Sequence, residues 1–418
     1  MKKPFILLCL SFSCLTGFAQ QTSVLFLGNS YIYTQNLPAT LYNLALEGGD
    51  TIYYESNTPG GYELFQHSTD PTSLSKIASR NWDFVVLQEQ SQLPSFPPAQ
   101  VASWVYPYAE ILVDSIRSNY ECTEPVFFMT WGRKNGDQAN CSGSPLCTFE
   151  TMQARLRESY LEMGLDNNAT VAPCGAAWHG MSVVNNFFWN GLYSSDGSHP
   201  SAWGTYLNAC VFYATILRKS PVGIPYYSTI GQQDAEDLQQ LAEDIVLDSL
   251  STWYIGHADV EAFANYTENG FTVNFVNESE NATEFSWNFG DGFTSEEENP
   301  QHAYSTADTY MATLVASNGC DSDTVQISVT VSSSPNSTPE TDPLADMTIL
   351  QNETSIVVNN PLTSSVQIQL IDISGRILVD QKMAGNSRVI INQKLRMGVY
   401  LIKVSTKNST RTFKVVRF

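Results

Sequence analysis

Basic residues are scarce in most of the chain. Residues 20–345 contain nine Lys and Arg side chains against 38 Asp and Glu, and the whole chain of 418 residues has a formal net charge of −21 at pH 7. A surface with this excess of carboxylates repels phosphate backbones, so we expect no nucleic-acid partner. The same excess keeps an exported protein in solution.

Long apolar runs are also missing, because no segment reaches the ~20 residues that a membrane-spanning helix needs. The run at residues 5–15 is shorter, follows Lys2 and Lys3, and precedes the small-residue site at residues 17–19. This order is typical of a secretory signal. We therefore predict that residues 1–19 are a signal peptide and that the remaining chain is exported and soluble.

Cysteine is sparse as well, with six residues left after the predicted signal peptide. In an oxidising compartment, Cys141 and Cys147 on either side of the short loop SGSPL are expected to form a disulfide. Cys210 lies inside the apolar pattern YLNACVFYATI, which predicts a buried free thiol.

Two common catalytic patterns are absent from the sequence. It contains neither the Gly-x-Ser-x-Gly elbow of α/β-hydrolases nor a His-Glu-x-x-His metal motif. No clustered carboxylates suggest a catalytic metal either. We therefore predict no metal and no cofactor, and serine chemistry would need a different arrangement of residues.

Apolar strands alternate with helical patterns from about residue 22 to residue 255. The strand patterns are SVLFLG, TIYYES, DFVVLQ, PVFFMTW and ATVAPC. Strands that are apolar throughout and separated by helices indicate a parallel sheet covered on both faces. In such a sheet, ligands bind beyond the carboxyl ends of the strands.

Two short segments of this α/β region have the chemistry of a serine hydrolase. The first strand runs into GNS and places Ser30 at its carboxyl end, while DGSHP places Asp196 three residues before His199 and just before the last helix. A serine nucleophile needs a base that is itself oriented by a carboxylate. Each segment alone is also a common turn or helix cap, but the two together favour a catalytic triad.

FLGNSY and DGSHP resemble the first and last sequence blocks of the SGNH, or GDSL-like, hydrolases, with Asn29 where Asp is commoner. The resemblance covers about residues 22–255. It implies a flavodoxin-like three-layer fold and metal-free ester hydrolysis. Ser30 would be the nucleophile, His199 the general base and then acid, and Asp196 the orienting carboxylate.

The same resemblance implies an oxyanion hole. The Ser30 backbone would be one donor, and a glycine of SNTPGGYEL would be another, with Gly61 as first choice and Gly60 as second. Asn29, Gly60 and His67 are further candidates to line the pocket.

The third block departs from the family pattern. VVLQEQSQLP stands where the family usually has Gly-x-Asn-Asp. A primary amide can donate to an oxyanion from either residue type, so both Gln88, at the strand end, and Gln92, at the distance of the asparagine, are candidate donors. The sequence leaves this choice open.

Short strands without helices follow the α/β region and predict two all-β sandwich modules. FSWNFGDG, within residues 257–333, resembles the signature of a PKD domain, in which Trp287 and Phe289 would fill the core. Residues 334–345 have the composition of a linker. Residues 346–418 resemble a type IX secretion C-terminal sorting domain, which implies recognition by the secretion machinery.

These features together predict a secreted or surface-attached serine esterase, with residues 20–256 as the hydrolase domain. We expect it to remove acetyl or other small acyl groups from carbohydrate, because the chain is acidic, exported and linked to a PKD module, and because its third block resembles Gln-Gly-Glu-Ser-Asn of carbohydrate acetylesterases. One alternative is a lipid or phospholipid esterase, although no long apolar lid is visible. Another is a non-catalytic adhesin or glycan-binding protein, which the missing Asn-Asp block would favour.

Overall fold

The computed structural model describes residues 21–141, 145–332, 344, 347–351, 356–372, 376–391, 398–407 and 409–417. The predicted signal peptide lies outside these ranges, as does the predicted linker apart from Leu344. The chain forms two compact units, one ending at Ile255 and the other beginning at Gly256.

The first unit is built on parallel strands connected by helices. Its strands are β1 (Thr22–Leu27), β2 (Ile52–Asn57), β3 (Phe84–Leu87), β4 (Glu124–Phe128) and β5 (Thr170–Ala172). Its helices are α1 (Ser30–Tyr33), α2 (Leu37–Glu47), α3 (Leu64–Thr69), α4 (Pro71–Ile77), α5 (Pro98–Trp104), α6 (Tyr106–Asn119), α7 (Phe149–Asp166), α8 (Cys174–Val184), α9 (Asn186–Gly191), α10 (Ala202–Leu217) and α11 (Gln232–Val246). Short 3-10 turns occupy Leu93–Ser95, Pro145–Cys147 and Leu247–Trp253.

The strand order of this sheet is β2-β1-β3-β4-β5, with every pairing parallel. This is the flavodoxin-like order, so the predicted fold class is confirmed. Leu27 at the end of β1 is in register with Asn57 of β2 and Leu87 of β3. The segments that follow these three strands therefore meet at one edge of the sheet.

Helices cover the sheet in two groups. One group packs α2, α8, α10 and α11 together, and the other packs α3, α4, α5 and α6 together. Nearly every residue of α10 is buried, which agrees with its continuous apolar sequence. The strands are buried in the same way, and Val24 to Leu27 of β1 have no exposed surface.

Both cysteine predictions are confirmed. Cys141 and Cys147 form a disulfide, with their Cα atoms 4.8 Å apart. Cys210 is a buried free thiol, as is Cys174. Burial raises the pKa of both thiols, so they remain protonated and pack as small apolar side chains.

The second unit contains antiparallel sheets. Its first part has β6 (Ala264–Asn269), β7 (Thr272–Asn277), β8 (Glu284–Asn288), β9 (Thr294–Ser295), β10 (Gln301–Ala303), β11 (Thr309–Ser317) and β12 (Ser322–Thr330). These strands form sheets of order β10-β7-β6 and β12-β11-β8-β9. Trp287 and Phe289 are buried in the core between them, as the sequence predicted.

The last part of the chain is also all-β. It contains β13 (Thr348–Gln351), β14 (Ile356–Asn360), β15 (Val366–Asp372), β16 (Ile377–Met383), β17 (Ser387–Ile391), β18 (Gly398–Ser405) and β19 (Thr410–Arg417). The sheets have orders β13-β14-β17 and β16-β15-β18-β19. Alternate residues of β15, at positions 366, 368 and 370, point into the core, as expected for a half-buried strand. Across the described ranges, every helix is too short or too polar to cross a membrane.

Two glycines of α8 provide a matched test of packing near the carboxyl end of β4. A Cβ at Gly175 would lie 2.1 Å from the Thr130 carbonyl oxygen, whereas one at Gly180 would lie 3.2 Å from the movable Leu241 Cδ1. We expect Gly175→Ala to lower the free energy of unfolding by about 1–3 kcal/mol, because backbone must move to admit the methyl group. Gly180→Ala is expected to be neutral or stabilising, since alanine favours the helix by about 1 kcal/mol. Thermal unfolding followed by tryptophan fluorescence would measure both, and equal losses would contradict this account.

Candidate active site

Ser30 lies where β1 turns sharply into α1. Asn29 has an extended backbone, and its Oδ1 accepts a hydrogen bond from the Tyr31 N–H at 3.2 Å, so Asn29 is the N-cap of α1. Ser30 is then the first helical residue, and its N–H has no acceptor within the helix. Gly28 must be small, because a Cβ there would lie 2.6 Å from both Gln88 Oε1 and Ile32 Cδ1.

His199 and Asp196 lie on a tight loop before α10. The Asp196 Oδ1 accepts hydrogen bonds from the Ser198 and His199 N–H groups at 2.9 and 3.0 Å. Gly197, at the turn, has a φ of +68°, which favours glycine. The loop closes through the Ser194 N–H, which donates to the His199 carbonyl at 2.8 Å. This local geometry holds the carboxylate beside the imidazole.

The structure brings Ser30, His199 and Asp196 into one hydrogen-bonded chain. Ser30 Oγ is 2.8 Å from His199 Nε2, and His199 Nδ1 is 2.5 Å from Asp196 Oδ2. Burial acts to raise the pKa of Asp196, but hydrogen bonds from the His199 ring and from the loop N–H groups outweigh it, and the pKa lies below its ordinary value. An ionised Asp196 favours the tautomer in which Nδ1 carries the proton and Nε2 accepts from Ser30.

A stack of aromatic rings packs against the loop that carries His199. The Tyr31 ring stacks on Trp131 at 4.6 Å, Trp131 stacks on Trp178 at 4.0 Å, and the Tyr31 ring meets His199 edge-on at 5.4 Å. The Trp131 indole N–H donates to the Ser198 carbonyl at 3.0 Å, and the Tyr31 hydroxyl is 2.7 Å from Ser198 Oγ. Sequence reasoning missed these residues, because only the tertiary structure places them against the loop.

The glycine turn after β2 lies beside the nucleophile. Asn29 Nδ2 donates to the Tyr62 carbonyl at 2.7 Å and ties the turn to the N-cap of α1. Gly61 has a φ of +75°, and no residue in the described ranges accepts a hydrogen bond from its N–H. Gly60 lies close to α1 as well, since a Cβ there would be 3.3 Å from the Tyr33 hydroxyl.

The two candidate glutamines have other partners, and this corrects their expected role. Gln88 is fully buried; its Oε1 accepts from the Asn29 N–H at 2.9 Å, and its Nε2 donates to the Glu89 carbonyl. Gln92 Nε2 donates to the buried Asp137 carboxylate at 2.7 Å. Gln88 thus acts as an internal brace for the turn before Ser30, because an N–H buried at this sheet edge needs an acceptor.

Asn29 and His67 also face the interior, contrary to their expected place in a pocket. His67 has no exposed surface; its Nε2–H donates to the Gly28 carbonyl at 2.9 Å, and its Nδ1 is 2.7 Å from Ser73 Oγ. Burial lowers the pKa of His67, so the ring stays neutral. Both side chains support the strand-to-helix turn.

Glu89 is a buried acidic residue that sequence reasoning did not single out. Its carboxyl group accepts hydrogen bonds from the Leu64 N–H at 3.2 Å and from the Gln90 N–H at 2.5 Å. It therefore joins the start of α3, just after the glycine turn, to the segment after β3. Burial raises its pKa to about 8, although these two N–H groups act in the opposite direction. A carboxyl two residues after a wholly apolar strand was the available sequence signal.

Two segments of the chain match protein-family models. Residues 258–332 match the PKD domain, and residues 350–417 match the secretion system C-terminal sorting domain. Both predicted resemblances are confirmed. The sorting domain directs the protein to the cell surface or the extracellular space through type IX secretion.

Solved structures with a similar fold include three of bacterial origin. A DUF4886 family protein from Bacteroides uniformis is 17% identical, with a TM-score of 0.46, and covers 55% of this chain and 95% of its own. A protein from Slackia heliotrinireducens, provisionally described as an SGNH hydrolase, is 25% identical, with a TM-score of 0.39. The match covers 47% of this chain and 100% of that protein. A variant of the acetyl xylan esterase Axe2 from Geobacillus stearothermophilus is 15% identical, with a TM-score of 0.34. The match covers 50% of this chain and 97% of that protein. No curated protein matches this chain.

The raised pKa of Glu89 predicts a pH-dependent stability. Its ordinary pKa is 4.5 and its folded value is about 8, so between these values the unfolded chain releases a proton that the folded chain retains. This group therefore lowers the free energy of unfolding progressively as the pH rises through that interval. Glu89→Gln removes the effect. The melting temperature of the variant minus that of the native protein should therefore increase from about pH 5 to about pH 8.

Thermal melts across that range would measure the difference. Glu110→Gln, at an exposed position of α6, is the matched control and should show no such trend. A constant difference between Glu89→Gln and the native protein would contradict the assignment.

Proposed function

We propose that residues 20–256 form a serine esterase domain that removes small acyl groups, acetyl above all, from carbohydrate. The observation that carries the proposal is the hydrogen-bonded chain from Ser30 through His199 to Asp196, with 2.8 and 2.5 Å between its heavy atoms. A serine, a base within reach and a carboxylate that orients the base are the elements of nucleophilic acyl transfer.

The first half of the reaction acylates the enzyme. Ser30 Oγ attacks the ester carbonyl carbon while His199 Nε2 accepts the serine proton. The carbonyl oxygen of the substrate gains negative charge, and we assign the Ser30 and Gly61 N–H groups as its donors. His199 then returns the proton to the sugar oxygen as its bond to the acyl carbon breaks, and the deacylated carbohydrate leaves.

The second half regenerates the enzyme. Water attacks the acyl carbon, His199 Nε2 accepts a proton from that water, and the same proton passes to Ser30 Oγ as the acid is released. Asp196 stays ionised throughout, keeps the proton on Nδ1, and stabilises the imidazolium that forms in both halves.

The choice of carbohydrate rests on the polarity of the site and on the companion modules. The half-buried Ser198 hydroxyl lies beside His199, 2.7 Å from the buried Tyr31 hydroxyl, and offers a hydrogen bond to a sugar leaving group. Burial raises the pKa of Tyr31, so its hydroxyl stays protonated. Export by the sorting domain places the enzyme where polysaccharides occur, and a PKD module accompanies it.

Substitutions in the triad test the mechanism. Ser30→Ala and His199→Ala should each lower kcat/KM for p-nitrophenyl acetate on the order of 10⁴-fold or more, because the nucleophile or its base is lost. Asp196→Asn keeps the shape of the side chain but favours the wrong tautomer of His199. Its loss of kcat/KM should therefore be smaller than that of His199→Ala or at most comparable. Ser103→Ala, at an exposed position of α5, is the control.

Activity that persists in Ser30→Ala would remove Ser30 from the mechanism. If a fluorophosphonate probe fails to label the native protein, that result would favour a non-catalytic adhesin.

A series of p-nitrophenyl esters distinguishes the small-acyl proposal from a lipid esterase. We expect kcat/KM to be greatest for acetate and to fall as the acyl chain lengthens from four to sixteen carbons, on the order of tenfold or more in total. Each methylene that binds in an apolar site would instead contribute about 0.8 kcal/mol in favour of longer chains. Activity that rises toward palmitate would therefore support the lipid alternative.

A further inference from the structure

Two cavities open beside the loop that holds Asp196, and they share Lys134 and Asn135. The first has a volume of about 370 Å³ and is also lined by Asn190, Tyr193 and Asp196. The second has a volume of about 500 Å³ and continues past Thr148 and Glu150 to Trp189. We call the two cavities together the Lys134 groove. It begins at the carboxylate of the triad and leads away from it.

The lining of the Lys134 groove suits a ligand rich in hydroxyl groups. The Asn135 amide can both donate and accept hydrogen bonds. The Asn190 side-chain oxygen and the Thr148 hydroxyl can accept from a ligand in addition to their groups' contacts with Asn186 and Thr151. Tyr193 and Trp189 add aromatic surface, against which the C–H face of a sugar ring can pack. A lipid chain would cover the Asn135 amide without forming hydrogen bonds to it, which is costly.

The charges along the groove favour an uncharged ligand. Lys134 has no ion-pair or hydrogen-bond partner for its ammonium within the described ranges. The other eight basic side chains of residues 20–345 each have an ion pair, a hydrogen bond, an aromatic-ring contact or another electrostatic interaction. Asp196 lines one cavity with Lys134, and Glu150 lines the other. The ammonium of Lys134 thus has a carboxylate on either side, and an acidic ligand would be repelled by both carboxylates.

The groove is joined to the candidate active site by the backbone. The Lys134 N–H donates to the Gly197 carbonyl at 2.9 Å, between Asp196 and His199. Each cavity falls within the volume of about 300–1,000 Å³ that ligand sites usually have. A chain of several sugar units can therefore extend through both cavities, beginning in the one that Asp196 lines.

We propose that the Lys134 groove binds an uncharged oligosaccharide chain of two or more sugar units, with the free ammonium of Lys134 donating to its oxygens. The inference rests on the proposed function, because the bound chain would carry the acyl group that Ser30 removes. It extends that function from small esters to acylated neutral polysaccharides.

Asn135→Trp tests the groove, because an indole at the junction of the cavities should block it while the exposed position tolerates the change. The substrates are p-nitrophenyl acetate and acetylated neutral xylo- and manno-oligosaccharides of one to five units. For the native protein we expect kcat/KM per acetyl group to rise at least tenfold with length. In Asn135→Trp, kcat/KM should fall at least tenfold on the longest substrates and stay within twofold of the native value on p-nitrophenyl acetate. Gln100→Trp, at an exposed position of α5, is the matched control and should behave as native on both.

Calorimetry with unacetylated oligosaccharides separates the groove from the chemistry. We expect binding to the native protein and to Ser30→Ala, and loss of binding in Asn135→Trp and weaker binding in Lys134→Met. Absence of esterase activity would overturn the proposed function, yet this binding would still report on the groove. Binding that survives Asn135→Trp, or no binding by the native protein, would overturn the inference.

Salt dependence tests the charge of the ligand. The affinity for neutral oligosaccharides should change less than twofold between about 0.05 and 0.5 M NaCl, because uncharged ligands are not screened. A preference for uronic-acid oligosaccharides that weakens strongly with salt would contradict the assignment of an uncharged ligand.

Discussion

The candidate site depends on one buried hydrogen bond, which the Asn29 N–H donates to the Gln88 side chain across the carboxyl ends of β1 and β3. It satisfies a backbone donor that the sheet edge would otherwise leave buried and unpaired. It also holds the chain in the sharp turn that starts α1 and presents Ser30. Gly28 makes this contact possible, because any side chain there would collide with the Gln88 amide. His67 completes the support by donating to the Gly28 carbonyl.

The second half of the site is positioned by packing as well as by its own loop. The Asp196 carboxylate is held by neighbouring N–H groups, but the direction of the His199 ring depends on the Ser198 backbone and on the Tyr31 and Trp131 rings against which the loop rests. Tyr31 immediately follows Ser30, so the nucleophile and the base are joined through adjacent residues.

The acidic composition and the export signals are consistent with this chemistry. Of the few basic side chains in residues 20–345, most are used in ion pairs, in backbone contacts or against aromatic rings, and Lys134 remains available in a groove beside the triad. The disulfide between Cys141 and Cys147 suits an oxidising compartment, and the sorting domain directs export. The loop before α10 therefore lies beside one cation, which lines the same cavity as Asp196.

The sequence by itself determined the parallel sheet, the two β-rich modules, the buried thiol of Cys210 and the positions of Ser30 and Asp196-x-x-His199, because each depends on local periodicity or on residues a few positions apart. Only the tertiary structure decided what Gln88 and His67 contact, since their partners lie in strands and turns distant along the chain. The sequence left Gln88 and Gln92 open as the donating amide, whereas in the structure the Gln88 side-chain oxygen accepts from the Asn29 N–H. The Lys134 groove was likewise out of reach, because its walls come from loops that meet only when β4, α7 and α9 are packed together.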